Sequence, residues 1–267
     1  MNNITELDVN TLPESFFISI IASRRSGKSV LIQSLLGEIQ QTKKRFDTVL
    51  LFSSTDAGFE DIEEHYRFKD LTYLDTILEK MKQIKEVNKS LEKNYIKARI
   101  CVILDDMAFN NSGNDSLRYN KTLIELALNG RHLNNPEKNL KNGISVILIS
   151  QTLKSINKSI RLNCDIIMTN LMTNMIERND LLNEYFYIKS DRKSINIGKG
   201  LYDEIVRSKE YRFLVIERYK SIKRELEDYI SYYDAKIIKN GKMKFKICNC
   251  NSTFKKSNDK PKIIKFS

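Results

Sequence analysis

The apolar run Phe16–Ile21 passes without a break into Ala22-Ser23-Arg24-Arg25-Ser26-Gly27-Lys28-Ser29. A helical apolar pattern then follows over residues 28–40, with Val30, Leu31, Ser34 and Leu35 on one face. Strand, A/G-x4-G-K-S turn and helix in this order constrain the fold more than any other feature. Glycine at position 27 lets the backbone turn with no Cβ in the way, so that successive N–H groups face one point. The helix opening at Lys28 adds its positive dipole end there. The turn from Ala22 to Ser29 is therefore a candidate phosphate cradle, with Lys28 set to reach β- and γ-phosphates and Ser29 to ligate Mg²⁺. Ala22 stands where glycine is usual. Arg24 and Arg25 either touch phosphate or are solvated at the loop tip.

Three further apolar runs, Thr48–Phe52, Ile100–Leu104 and Ser145–Ile149, are continuous rather than alternating, as in strands covered on both faces. Helical spacing separates them at residues 71–98 and 115–129. A fifth strand is expected at Asp165–Thr169 and a sixth at Tyr211–Glu217. Alternation of this kind predicts an α/β chain with a central, mostly parallel sheet flanked by helices on both faces.

Two of the strands end in polar groups suited to the same site. Ile100–Leu104 is followed by Asp105 and Asp106, a costly pair of like charges unless a cation sits there. In a phosphate-loop fold Asp105 would hold the metal through water and Asp106 would act as general base. The ordinary alternative is a turn or helix cap. Asp106 is one methylene shorter than the glutamate commoner at that position. Ser145–Ile149 closes on Ser150-Gln151, and an amide there can hydrogen-bond a γ-phosphate or the lytic water. Upstream, Gly130 suits a helix C-terminus. Arg131 after it either complements the helix dipole or reaches a neighbouring subunit's site as an arginine finger in trans.

Charge is unevenly spread. The chain carries 45 Lys+Arg against 34 Asp+Glu, a formal +11 over 267 residues. From Lys236 to Ser267 there are ten lysines, no arginine and a single acid, Asp259. Residues 1–235 therefore read as a nearly neutral ATPase domain and residues 236–267 as a basic tail. The tail either binds nucleic acid by releasing counterions or serves as a solubilising end. No run approaches the roughly 18 apolar residues of a membrane span. The polar opening residues are unlike a secretion signal, so a soluble, intracellular protein is expected. Cys101, Cys164, Cys248 and Cys250 do not make a disulfide framework for this length. Cys101 reads as core, and Cys248 and Cys250 lack the second pair that a metal site needs.

ASRRSGKS at the phosphate loop, ILDDM at 103–107, NGRHLNN at 129–135 and ILISQT at 147–152 together resemble the poxvirus-type virion DNA-packaging ATPases of large cytoplasmic DNA viruses. These belong to the FtsK–HerA group of P-loop motors, and the resemblance implies a P-loop NTPase fold of RecA/ASCE-like type. The resemblance spans roughly residues 14–170, and GRHLN joined to the strand ending in glutamine is its most specific part. It implies ATP and Mg²⁺ as cofactors, with Lys28 and Ser29 at the nucleotide and Asp105 and Asp106 as the second acidic motif. Gln151 matches the sensor and Arg131 the trans-acting arginine. The implied activity is pumping of double-stranded DNA into a preformed particle by a homo-oligomeric ring. Viral capsid or membrane-associated packaging proteins would be its partners, in the host cytoplasm at the viral factory and in the virion. Ala22 and the segment Asn134–Gly143 depart from the pattern.

Other classes have less to stand on. None of Asn88-Lys89, Asn120-Lys121 and Asn157-Lys158 is followed by the aspartate of a guanine-recognition motif. One phosphate loop in 267 residues does not make a two-motor helicase. A small-molecule kinase gains no positive support. The remaining alternative is a non-catalytic, nucleic-acid-binding structural protein that retains a nucleotide site.

Overall fold

In the computed structural model the described residues are 4–42, 46–55, 59, 62–107, 117–133, 141–186, 192–220 and 226–237, with the side chains of 131, 192–195 and 226–227 excepted. The basic tail beyond Ile237, with Cys248 and Cys250, lies outside them, as does 134–140.

Eight strands form one sheet: β1 Phe17–Ile21, β2 Thr48–Ser53, β3 Arg67–Phe68, β4 Arg99–Asp105, β5 Gly143–Ser150, β6 Ile166–Thr169, β7 Arg212–Glu217 and β8 Ile230–Asp234. Their order across the sheet is β3-β2-β4-β5-β1-β6-β7-β8. All pairings from β3 to β6 are parallel, and β6–β7 and β7–β8 are antiparallel. The fold is thus the α/β, mostly parallel architecture that the strand–helix alternation requires. The six expected strands are present within one or two residues. β3 and β8, short edge strands, carry no comparable apolar run.

Every residue of β1, β2 and β5 is buried. A strand covered on both faces has no use for alternation, and so these segments are dominated by Ile, Val, Leu and Phe without a polar residue at every second position. Ile18, Ile20, Ile147 and Leu148 are completely enclosed, each worth about 1.5–3 kcal/mol of transfer free energy.

The helices are α1 Lys28–Gln40, α2 Tyr73–Ser90, α3 Lys121–Asn129, α4 Lys158–Asn163, α5 Met175–Tyr185, α6 Arg192–Ser208 and α7 Leu226–Tyr229. α1 buries Leu31, Ile32, Leu35, Leu36 and Ile39, the face its periodicity marks. α2 buries Leu74, Ile77, Leu78, Met81 and Ile84, yet stops at Ser90 and not near Ala98 as its spacing suggests. The buried Asn88 side chain explains the stop. Its Oδ1 accepts from Ile96 N at 2.8 Å and its Nδ2 donates to Ile96 O at 2.9 Å. Those bonds fold the chain back, and Asn94 turns it at φ +59°. α3 begins at Lys121, later than the expected 115, where Asn120 accepts from Leu123 N at 2.8 Å as N-cap.

Register decides where the polar strand ends meet. Ile21 lies beside Ser150 of β5 and Thr169 of β6, and Asp105 beside Ile149. One rim of the sheet therefore gathers the residues after β1, β4, β5 and β6. The start of antiparallel β7 joins them, since Leu214 pairs with Thr169.

Candidate active site

The phosphate loop leaves β1 still inside the sheet. Ala22 is fully buried, and its N–H donates to Ser150 O at 3.1 Å. Its φ is not positive, so a methyl is tolerated where glycine is usual. Ser26 Oγ donates to Ser23 O at 2.8 Å and closes the loop. Arg24 and Arg25 are exposed at its tip, Arg25 at φ +60°. Gly27 is the N-cap of α1 at φ +85°, ψ +19°, with no side-chain cap. The turn that Gly27 permits is thus formed in the left-handed region, and it opens α1, whose first-turn amides have no intrahelical acceptors.

Lys28 Nζ donates to Ala22 O at 3.0 Å and Ser23 O at 2.6 Å, which holds the ammonium over the loop. Burial pulls its pKa below the ordinary lysine value, while Asp106 and Asp105 oppose the shift and Arg24 adds to it. The acids therefore lie within electrostatic reach of the loop, on its β4–β5 side. Ser29 follows on the exposed first turn of α1.

Asp105 ends β4 and Asp106 follows it. Burial pushes the Asp105 carboxyl up to about 6, adjacent Asp106 pushes the same way, and Lys28 pulls back. Asp106 has φ +51°, a conformation that a non-glycine residue adopts at a cost and that clusters at functional sites. Gln151 Nε2 donates to both carboxylate oxygens of Asp106, at 3.0 and 2.7 Å. The expected base and the expected sensor are thus joined directly, an arrangement that reading them as separate strand ends does not reveal.

Asn170, just past β6, is a contributor the motif reading omits. It is buried, and its Nδ2 donates to Ser26 O at 3.2 Å, so it braces the phosphate loop from the far side. Tyr202 of α6 fixes it in turn, accepting from Met172 N at 2.8 Å and donating to Asn170 O at 2.7 Å. A polar residue closing the apolar run 166–169, as Asp105 and Gln151 close theirs, was the available signal.

Arg131 lies in the 3-10 turn Gly130–Leu133. A Cβ on Gly130 would sit 3.6 Å from Ile144 O, which puts this turn near the start of β5, at the rim opposite the phosphate loop. His132 O accepts from Lys85 Nζ at 2.5 Å. The structure therefore does not bring Arg131 to its own chain's loop.

Among the described residues no three His, Cys, Asp or Glu side chains form a metal cluster. Magnesium held by one or two carboxylates together with phosphate oxygens needs no such cluster. A half-buried carboxylate beside a second one, as Asp105 is beside Asp106, suits it. Cys101 and Cys164 are buried free thiols, both pushed up by burial, Cys164 to about 12. No helix among the described residues is long and apolar enough to cross a membrane.

A mostly parallel sheet with this loop after its central strand is the architecture of P-loop ATPases. Among solved structures the chain is similar to the genome packaging NTPase B204 of Sulfolobus turreted icosahedral virus 2 in complex with ATPγS. The TM-score is 0.50 at 15% identity, over 83% of this chain and 98% of that one. It is also similar to EssC (ATPases 2 and 3) from Geobacillus thermodenitrificans, with TM-score 0.53 at 17% identity over 90% of this chain and 43% of that one. A third is the pCW3 conjugation coupling protein TcpA with ATPγS, with TM-score 0.51 at 13% identity over 85% and 62%. The chain shares the P-loop ATPase fold of these proteins. No protein-family model matches it, and no curated protein matches it in sequence.

Proposed function

We propose that this chain is an ATP-hydrolysing motor that translocates double-stranded DNA into a viral particle. The observation that carries the reading is the convergence on one rim of the phosphate loop, the twin acids after β4 and Gln151 after β5, with Gln151 bonded to Asp106. Likeness in fold to the B204 genome packaging NTPase and the motif resemblance to poxvirus-type packaging ATPases of the FtsK–HerA group support the choice of packaging over other ATP-driven work.

Residues 22–29 bind the triphosphate through loop and α1 amides, and Lys28 leaves its carbonyl partners for the β- and γ-oxygens. Ser29 and Asp105 are the residues that would hold Mg²⁺, which would supply neutralisation of phosphate charge. Asp106 accepts the proton of the attacking water. Gln151 orients that carboxylate, and it registers γ-phosphate loss because it touches both the base and the strand bordering the loop. Arg131, remote from its own loop, serves a neighbouring subunit in a homo-oligomeric ring. Residues 236–267 add a cationic tether for DNA beyond the ATPase domain of residues 1–235. Capsid or membrane-associated packaging proteins are the other partners, at the viral factory and in the virion.

ATP hydrolysis by wild type and Lys28→Ala, with and without duplex DNA, tests this. Turnover stimulated by DNA and lost in Lys28→Ala is the expected result. No turnover under any condition would leave a nucleotide-binding scaffold, and turnover indifferent to DNA would remove the motor.

A further inference from the structure

Tyr211 stands on the flank of the phosphate loop away from the acids. A Cβ on Gly27 would meet its Cδ1 at 2.3 Å and its Cε1 at 2.8 Å, so the phenol ring lies directly against the glycine that turns the loop. The residue is half-buried, and its hydroxyl is hydrogen-bonded to the Glu210 side chain. Its φ is +57°, a genuine outlier for an aromatic side chain.

The surrounding structure holds this conformation firmly. Arg212 Nε and Nη2 donate to the two Asp234 oxygens at 2.6 and 2.8 Å, and Lys209 Nζ reaches the same carboxylate at 2.9 Å. Ala235 N donates to Tyr211 O at 3.0 Å, and Arg212 N to Lys209 O at 3.3 Å. The Arg212 guanidinium covers the Tyr232 ring at 4.1 Å. All of these fix the backbone on either side of Tyr211 and so fix the place of its ring against Gly27. Backbone strain maintained in this way marks a positioned side chain.

The direction of a bound nucleotide follows from the strand order. The acids lie on the β4–β5 side of β1 and Lys28 over the loop itself, so a γ-phosphate placed between them sends the rest of the molecule back past Gly27. On that side come β6 and then the first residues of β7. We propose that Tyr211, held beside Gly27 at the start of β7, is the stacking platform for the base of the bound nucleoside triphosphate. This rests on the nucleotide-site reading and adds the base to it. Stacking uses the π-face and not the hydrogen-bonding edge, so the platform favours large purine rings and does not itself separate ATP from GTP.

Calorimetric titration of the full chain with ATPγS and with inorganic tripolyphosphate tests the assignment. Tyr211→Phe should bind ATPγS within twofold of wild type. Tyr211→Ala should bind it about thirtyfold more weakly, the middle of the range for base–aromatic stacking, and tripolyphosphate as well as wild type does. Tyr211→Leu keeps bulk against Gly27 without a π-face and should behave like Tyr211→Ala, which guards against a folding defect in the smaller variant. Equal losses for ATPγS and tripolyphosphate would make the ring a support for the loop and overturn the proposal. Unchanged ATPγS affinity in Tyr211→Ala would overturn it too. Wild type that binds neither compound would instead remove the nucleotide site itself.

Discussion

Asp105→Asn should make the metal-free protein more stable at neutral pH while destroying its activity. Asp105 titrates near 6 in the folded chain against an ordinary value of 3.8, mainly because β4 buries it and secondarily because Asp106 adjoins it. The folded state therefore holds a proton that the unfolded chain gives up. Stability from this group is complete below about pH 3.8 and is lost as pH rises through 6. A shift of this size corresponds to about 3 kcal/mol at pH 8. Asparagine keeps the shape and never ionises, so it recovers much of that amount. At an m-value of about 3 kcal/mol/M the urea midpoint moves by about 1 M. The assay is urea unfolding in EDTA from pH 4.5 to 8, followed by far-UV circular dichroism, since the chain has no tryptophan. Subtracting the variant's curve from that of wild type cancels other titrations, including Asp234, which its Arg212 partner holds near 2. The expected difference is small at pH 4.5 and largest at pH 8, and saturating Mg²⁺ with nucleotide should narrow it by stabilising wild type. A difference that is flat across the range, or wild type more stable than Asp105→Asn at pH 8 in EDTA, would refute the reasoning.

Gly27→Ala should destabilise the fold by about 1–2 kcal/mol through its left-handed backbone alone, with more from a Cβ driven into Tyr211. Adding Tyr211→Ala should return only the second part, read from unfolding midpoints of the single and double variants. Subunits carrying Arg131→Ala, mixed with subunits carrying Lys28→Ala, should regain part of the ATPase rate, because a site with intact Lys28 can then meet a neighbour's Arg131. No rescue at any ratio argues against action in trans. Deleting residues 236–267 should lower duplex affinity and flatten the slope of log K against log salt. An unchanged slope would assign the tail to solubility.

Much of the candidate site was legible because several of its residues sit at the end of a run whose pattern is unmistakable. Asp105 and Gln151 follow strands buried on both faces, where continuous Ile, Val and Leu leave no other reading. Gly27-Lys28 follows such a strand and opens a helix. The expected helix over 71–98 was too long because periodicity cannot register a buried Asn88 that bonds the backbone eight residues on. β8 escaped notice because an edge strand need not be apolar on both faces.

The sequence by itself determined the local chemistry: a left-handed glycine turn, a lysine and a serine at a helix start, and carboxylates and an amide at strand ends. Those follow from short-range sterics and burial, which a few neighbouring residues dictate. Only the tertiary structure decided which ends share a rim. Strand order puts β5 and β6 on either side of β1, joins Gln151 to Asp106, carries Arg131 to the opposite rim and returns antiparallel β7 so that Tyr211 rests on Gly27. Such contacts join residues as much as 184 positions apart, and no local periodicity records a pairing that is chosen by packing across the whole sheet.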